Sequence, residues 1–185
     1  MSDQYVELPL DQSHQLVNHG PVVWLSTKNA DGTYDIAPVA WNCPAGKAPP
    51  KLLAVVGRGH RTWENIERTG RFITVVPHRS QRTLVMETGS VSGREANKFE
   101  KFGIDAFTGA QVDALVPRGC VGFLECEVEN ALAGLPADVI LGRVLRSAVA
   151  PEAFDDRLLV ETEAGQTLHH LGGRFFATPA KQILS

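Results

Sequence analysis

The residues best suited to chemistry lie between a short apolar strand and the start of a helix. Leu52 to Gly57 (LLAVVG) reads as the strand, and Gly57 to Arg61 (GRGHR) as the loop. Thr62 then caps a helix running from Trp63 to about Arg68, with Gly70 as its stop. A helix start exposes unpaired N–H groups and a partial positive charge. Gly57 and Gly59 admit close backbone approach, Arg58 and Arg61 add fixed charge, His60 adds a donor and Thr62 a hydroxyl. That is the chemistry of a phosphate cradle. The Walker lysine spacing and the full dinucleotide glycine pattern are both missing, and a solvated loop capped by Thr62 accounts for the same residues.

A second patch is Ala37 to Asn42 (APVAWN). A lone tryptophan such as Trp41 usually packs in a core. Here its neighbours are small (Ala37, Ala40) or conformationally fixed (Pro38), which leaves room for a flat ring against the backbone. The two patches together suit a flat heterocycle bearing a phosphate, the shape of a mononucleotide such as FMN.

The elements that must position these patches are mostly strands. Pro21 to Lys28 and Tyr34 to Asn42 form a hairpin about the turn Asn29 to Gly32. Pro38 places the second strand at an edge or a bulge. Phe72 to Val76 is a buried strand. Gln81 to Glu87 is a weak helix, and Glu95 to Phe102 a stronger one, with Ala96, Phe99 and Phe102 on one side and Gly103 as stop. Phe107 to Gly119 is expected to be irregular. Cys120 to Leu132 and Asp138 to Val149 pair as long strands, after a turn through Gly134 and Pro136, with Glu125, Glu127 and Glu129 on the solvent face of the first. About six strands with few crossover helices predict a mainly β fold, an antiparallel barrel with helical insertions.

Composition narrows the function. The 185 residues predict one domain spanning 1–185. With 18 Lys and Arg against 21 Asp and Glu, the chain lacks the basic excess of a nucleic-acid wrapper. Cys43, Cys120 and Cys126 form no Cys-x-x-Cys pair and read as reduced thiols of a cytoplasmic protein. Met1 to Gln12 carries three acids and is no signal peptide, and no apolar run approaches a membrane span. The six histidines lack the spacing of a zinc helix, so no metal site is expected, although His169 and His170 beside Gly172-Gly173 suit a pocket wall. Ser90 to Gly93 (SVSG) does not make a nucleophile elbow.

These segments resemble the flavin reductase-like family of FMN-binding split barrels. Pro21-Val22-Val23 stands in the family's first strand, and Asp31-Gly32 with Ile36-Ala37-Pro38-Val39-Ala40-Trp41 is similar to its D-G-x-x-N-I-A-P-x-S-W. Thr62 to Phe72 matches T-x-x-N-I-x-x-T-G-x-F throughout and is the most specific piece. Asn97-Lys98-Phe99, Glu125 to Val128 and Leu141 to Val144 follow the pattern further on. The resemblance implies a six-stranded Greek-key barrel, usually a homodimer, with FMN or FAD at the subunit interface. It implies that Pro38, Val39, Ala40, Trp41 and Asn42 contact the ring. Gly57, Arg58, His60, Arg61, Thr62, Asn65 and Lys98 would then lie toward the phosphate, with Arg174 of the tail near the cofactor. Four departures stand out: Asp35 where Asn is common, Ala40 for Ser, Asn97 for Asp and Arg143 for Glu.

The expected activity is an NAD(P)H:flavin oxidoreductase, with NADH or NADPH as hydride donor. The flavin supplies the chemistry, so no side chain is named as acid, base or nucleophile. The alternative is a non-catalytic FMN-binding electron carrier reduced by a partner, and a barrel that binds no flavin is the third reading. A monooxygenase or electron-transfer protein would be the partner; neither nucleic acid nor membrane is expected.

Overall fold

The computed structural model describes residues 9–17, 20–132 and 138–179. Strand β1 (Val23–Lys28) pairs antiparallel with β2 (Tyr34–Val39), Leu25 opposite Ala37. Their turn closes through Asn29 N–H to Thr33 O at 2.8 Å, with Gly32 at φ 88°, as the Asp-Gly pair predicts. Next come β3 (Asn42–Lys47), β4 (Pro50–Val56), helix α1 (Arg61–Thr69) and β5 (Arg71–Val76). Gly70 ends α1 in the left-handed region, its N–H donating to Ile66 O at 2.8 Å. Helices α2 (Arg82–Ser90) and α3 (Lys98–Lys101) follow, then the short hairpin β6 (Ala106–Thr108) and β7 (Leu115–Pro117). The long strands β8 (Gly122–Leu132) and β9 (Asp138–Val149) and the hairpin β10 (His169–Gly172) and β11 (Phe175–Ala177) complete the described chain.

The main sheet has the order β2-β1-β5-β8-β9-β4-β3, and every neighbouring pair is antiparallel. Its two end strands, β2 and β3, are joined by Ala40 and Trp41 alone. So short a link forces the sheet to curl until its ends meet, and Val55 N–H donates to Trp41 O at 2.9 Å, carrying the β3–β4 pairing one residue into the link. This is the expected antiparallel barrel, with seven strands in the sheet instead of six. The difference lies in Tyr34 to Asn42. The ribbon breaks after Val39 and resumes at Asn42 as a separate strand that pairs with β4. Pro38 does sit on an edge strand, where no neighbour needs its N–H.

Strands β1 and β5 bury both faces, which is why their sequences run continuously apolar. Leu25 and Phe72 meet Ala54, Cys126 and Ile140 inside the barrel, with Ile66 of α1. Trp24, Ile73 and Val75 face outward onto a second core containing Val85 of α2 and Phe99 of α3. That layer holds α2 and α3 against β2 and so builds one wall of the site.

Three expectations change. The helix from Glu95 to Phe102 shrinks to α3, because the Asn97 side chain accepts from Phe99 N–H at 3.1 Å and starts the helix there. The stretch from Phe107 to Gly119 contains a two-stranded hairpin. Glu125 is not on a solvent face but fully buried. Arg146 opposite it on β9 reaches its Oε1 at 2.7 Å, and a loop folds over it to donate three backbone N–H groups, from Ala110, Gln111 and Val112. The turn through Gly134 and Pro136 lies outside the described residues.

Candidate functional site

A groove runs along β2 and over the start of α1. Its first part is a cavity of about 340 Å³ lined by Ala37 to Trp41, Val55, Val56, Gly57, His60, Thr62 and, from the terminal hairpin, His170, Gly172 and Gly173. Its second part, about 310 Å³, shares Ala37, Pro38, His60 and Thr62 and adds Asp35, Arg61, Ser90, Ser92, Gly93 and Lys98. Each volume lies near the lower end of ligand-binding pockets, roughly 300–1,000 Å³. One end is therefore small-residue backbone beside a half-exposed Trp41, and the other is polar and charged.

The polar end is built by local rules acting on distant segments. His60, with extended backbone, is the N-cap of α1, and no side chain caps the helix. Thr62, expected to be that cap, is the second helical residue; its hydroxyl instead donates to Asp35 Oδ2 at 3.3 Å. The N–H groups of the first turn of α1 therefore have no side-chain acceptor. Lys98 is buried, its Nζ 2.8 Å from Ile36 O and 3.3 Å from Asp35 Oδ1. Arg61 Nη1 is 3.1 Å from Glu64 Oε2, and Arg94 grips the same carboxylate from the loop after α2. Two cations thus share one acid, and Lys98 offsets Asp35, so these five groups carry a net positive charge. Asp35 Oδ1 and Arg61 Nε are buried without a hydrogen bond inside the protein. Such orphans are uncommon in a folded chain and fit a site completed by a ligand. Gly93 closes the end so tightly that a Cβ there would overlap Asp35 Oδ1.

The sequence-predicted residues divide into groups. Pro38, Val39, Ala40, Trp41, Gly57, His60 and Thr62 come together along the first cavity, and Arg61 and Lys98 along the second. Asn42 and Asn65 lie behind these surfaces as fasteners. Asn42 Nδ2 donates to Pro21 O at 2.9 Å. Buried Asn65 donates to Thr27 Oγ1 at 2.9 Å and Asn29 Oδ1 at 2.7 Å, tying α1 to the β1–β2 hairpin. Arg58 lines a separate cavity with Trp63, Ile66 and Val128. Arg174 is exposed at the tip of the β10–β11 hairpin.

Sequence reasoning missed Asp35, seen there only as a departure from the family pattern, and missed Ser90, Ser92 and Gly93 as a wall. The signal was present: small and polar residues directly after a helix suit a loop that wraps a ligand. Among the described residues that line the groove, no Cys is present to serve as a nucleophile. Burial pushes the Cys126 thiol up to about 12 and the Cys120 thiol up to about 11, which keeps both protonated near neutrality. Among the described residues no group of His, Cys, Asp and Glu is arranged to hold a metal, and no helix is long and apolar enough to cross a membrane.

A curled antiparallel sheet whose edge strand and helix start share a groove defines a class that the comparisons identify. The sequence pattern of the flavin reductase like domain matches residues 17–176, and the chain belongs to the flavin reductase-like family. The Escherichia coli K12 protein YddH, described as uncharacterized, is 30% identical over 184 residues, covering 97% of each chain. Nitrilotriacetate monooxygenase component B from Bacillus cereus has the same fold, with a TM-score of 0.86 over all of both chains at 19% identity. An FMN-binding domain of a flavin reductases-like enzyme from Shewanella baltica OS155 reaches a TM-score of 0.79 at 25% identity, over 97% of this chain and 96% of that one.

Proposed function

We propose that this chain is a single-domain, cytoplasmic FMN-binding oxidoreductase that takes hydride from NADH or NADPH and works as a homodimer. The observation that carries this reading is the continuity of the groove. A small-residue face wide enough for a flat ring passes, through Pro38, His60 and Thr62, directly into a cationic chamber. FMN combines those two chemistries in one molecule, and its binding to a relative of this fold supports the reading.

Bound flavin would supply the two-electron chemistry. The protein's part is to hold and orient it. Ala37, Pro38 and Ala40 offer a surface without bulky side chains, so backbone groups of the β2 edge are within reach of a ring. The Arg61 and Thr62 N–H groups at the start of α1, the Arg61 and Lys98 side chains, and the Thr62 hydroxyl once it turns from Asp35 would hold the phosphate. A second subunit has a reason to be present: Trp41 is half exposed at the groove mouth, and Leu171 and Phe175 of the neighbouring hairpin are also exposed.

The test is titration of flavin-free protein with FMN. Thr62→Ala combined with Arg61→Ala should weaken binding by several kcal/mol at most, since hydrogen bonds to charged groups are worth roughly 1.5–3 kcal/mol each. An unchanged Kd would move the phosphate elsewhere. Anaerobic bleaching by NADH and NADPH, assayed separately, then tests the donor. Tight FMN without turnover of either would replace the enzyme with an electron carrier. Sedimentation that finds a monomer of full FMN affinity would remove the dimer.

A further inference from the structure

Beside the ring end of the groove lies a separate recess of about 290 Å³. It shares Pro38, Ala40 and His170 with the first cavity, so the two meet along one edge of β2. Its other walls are Val85, Met86 and Gly89 of α2 and Phe176 of β11, with buried Val22 as floor. Helix and strand stay close here because position 89 is glycine; a Cβ would stand 3.0 Å from Pro38 Cγ.

We infer that this recess is the seat of a second small molecule, an uncharged single-ring aromatic compound with one hydrogen-bond-donating substituent. Three observations define the occupant. The volume is at the lower limit of ligand pockets, about 300 Å³, which admits one ring and excludes a dinucleotide. Among the described residues no Lys, Arg, Asp or Glu lines it, so a charged group would be desolvated there without compensation. Polar groups occur only as Ser90 and His170. The Ser90 hydroxyl donates to Glu87 O at 2.8 Å and keeps acceptor capacity. His170 is held in place, its Nε2 3.2 Å from Gly173 O and its ring centroid 5.2 Å from that of Phe176. An apolar body meeting a few placed polar groups is the general form of a small-molecule site.

The recess opens onto the surface assigned above to the ring, so its occupant would lie beside the flavin. That placement rests on the flavin reading; occupancy of the recess does not. The two are separable by calorimetric titration of the flavin-free protein, with benzyl alcohol as the neutral probe, benzoate as its charged counterpart, and FMN in a parallel run. Benzyl alcohol should bind saturably at one site, with benzoate at least about tenfold weaker. Met86→Trp, which fills the recess, should abolish benzyl alcohol binding and leave the FMN Kd unchanged. Phe176→Ala, which enlarges it, should shift preference toward the two-ring alcohol 2-naphthalenemethanol and serves if the tryptophan variant does not fold. Benzyl alcohol that fails to bind, benzoate that binds as well, or a ranking unmoved by both variants would overturn the assignment. Failure of FMN to bind, with benzyl alcohol retained, would instead sink the flavin reading alone.

Discussion

Glu125 and Asp35 are both buried, at 0% and 2% exposure, and each lies under a glycine backbone. Their surroundings differ. Glu125 accepts from Ala110, Gln111 and Val112 N–H and from Arg146, so its oxygens are saturated by the protein. Asp35 has Lys98 and a long bond from Thr62, both at 3.3 Å, and its Oδ1 has no hydrogen bond. The first acid fastens a loop to the barrel. The second lines a cavity and is left incomplete. A buried charge whose valences are filled reads as architecture, and one that is half filled reads as a site.

The sharpest way to break this contrast is to remove Glu125. Glu125→Ala leaves three N–H groups without their acceptor, and we expect a loss of about 3–5 kcal/mol in urea unfolding. A loss below about 1 kcal/mol would make Glu125 no different from a surface acid. Gly109→Ala tests the same fastening from above. The new Cβ would stand 2.6 Å from Val112 O and 2.7 Å from Glu125 Oε2, neither of them free to yield. Overpacking of this kind costs about 1–3 kcal/mol, readable as a lowered Tm.

At the other carboxylate the effect that discriminates is on ligand, beside a loss of stability from leaving buried Lys98 without its counter-charge. Asp35→Asn removes a negative charge from the polar chamber and releases Lys98. FMN should bind about tenfold tighter, and riboflavin, which lacks the phosphate, by about the same as before. Equal gains for both flavins would show that Asp35 does not sense the phosphate. The smallest effect is a pH slope. Burial opposes ionisation of Glu125, but Arg146 and the N–H groups of Gln111, Val112 and Ala110 outweigh it and hold its pKa below the ordinary glutamate range. Its contribution to stability is therefore complete above that range and is lost as pH falls through the lowered folded value. Acid unfolding of Glu125→Gln should lose that part of its slope.

Much of the fold was legible because it rests on local rules. The Asp-Gly turn, the Gly70 stop and the doubly apolar runs of β1 and β5 are written in neighbouring residues. The break between β2 and β3 was not, because Tyr34 to Asn42 has strand character throughout, and only barrel closure requires it to bend at Ala40-Trp41. The site divides in the same way. The glycine and cation loop before α1 and the small-residue strand were visible as patches. Which cation serves the groove was not.

The sequence by itself determined a mainly antiparallel β chain with the flavin reductase-like pattern and a cationic helix start next to a small-residue strand. Only the tertiary structure decided that Arg61 and Lys98 line the groove, that Arg58 lines another cavity, and that Asn65 is a fastener. Arg58 stands in the loop before α1, whereas Arg61 and Asn65 stand on α1, where consecutive residues point about 100° apart. Their directions relative to the groove are set by how α1 docks on the β1–β2 hairpin, a long-range contact that no local spacing encodes.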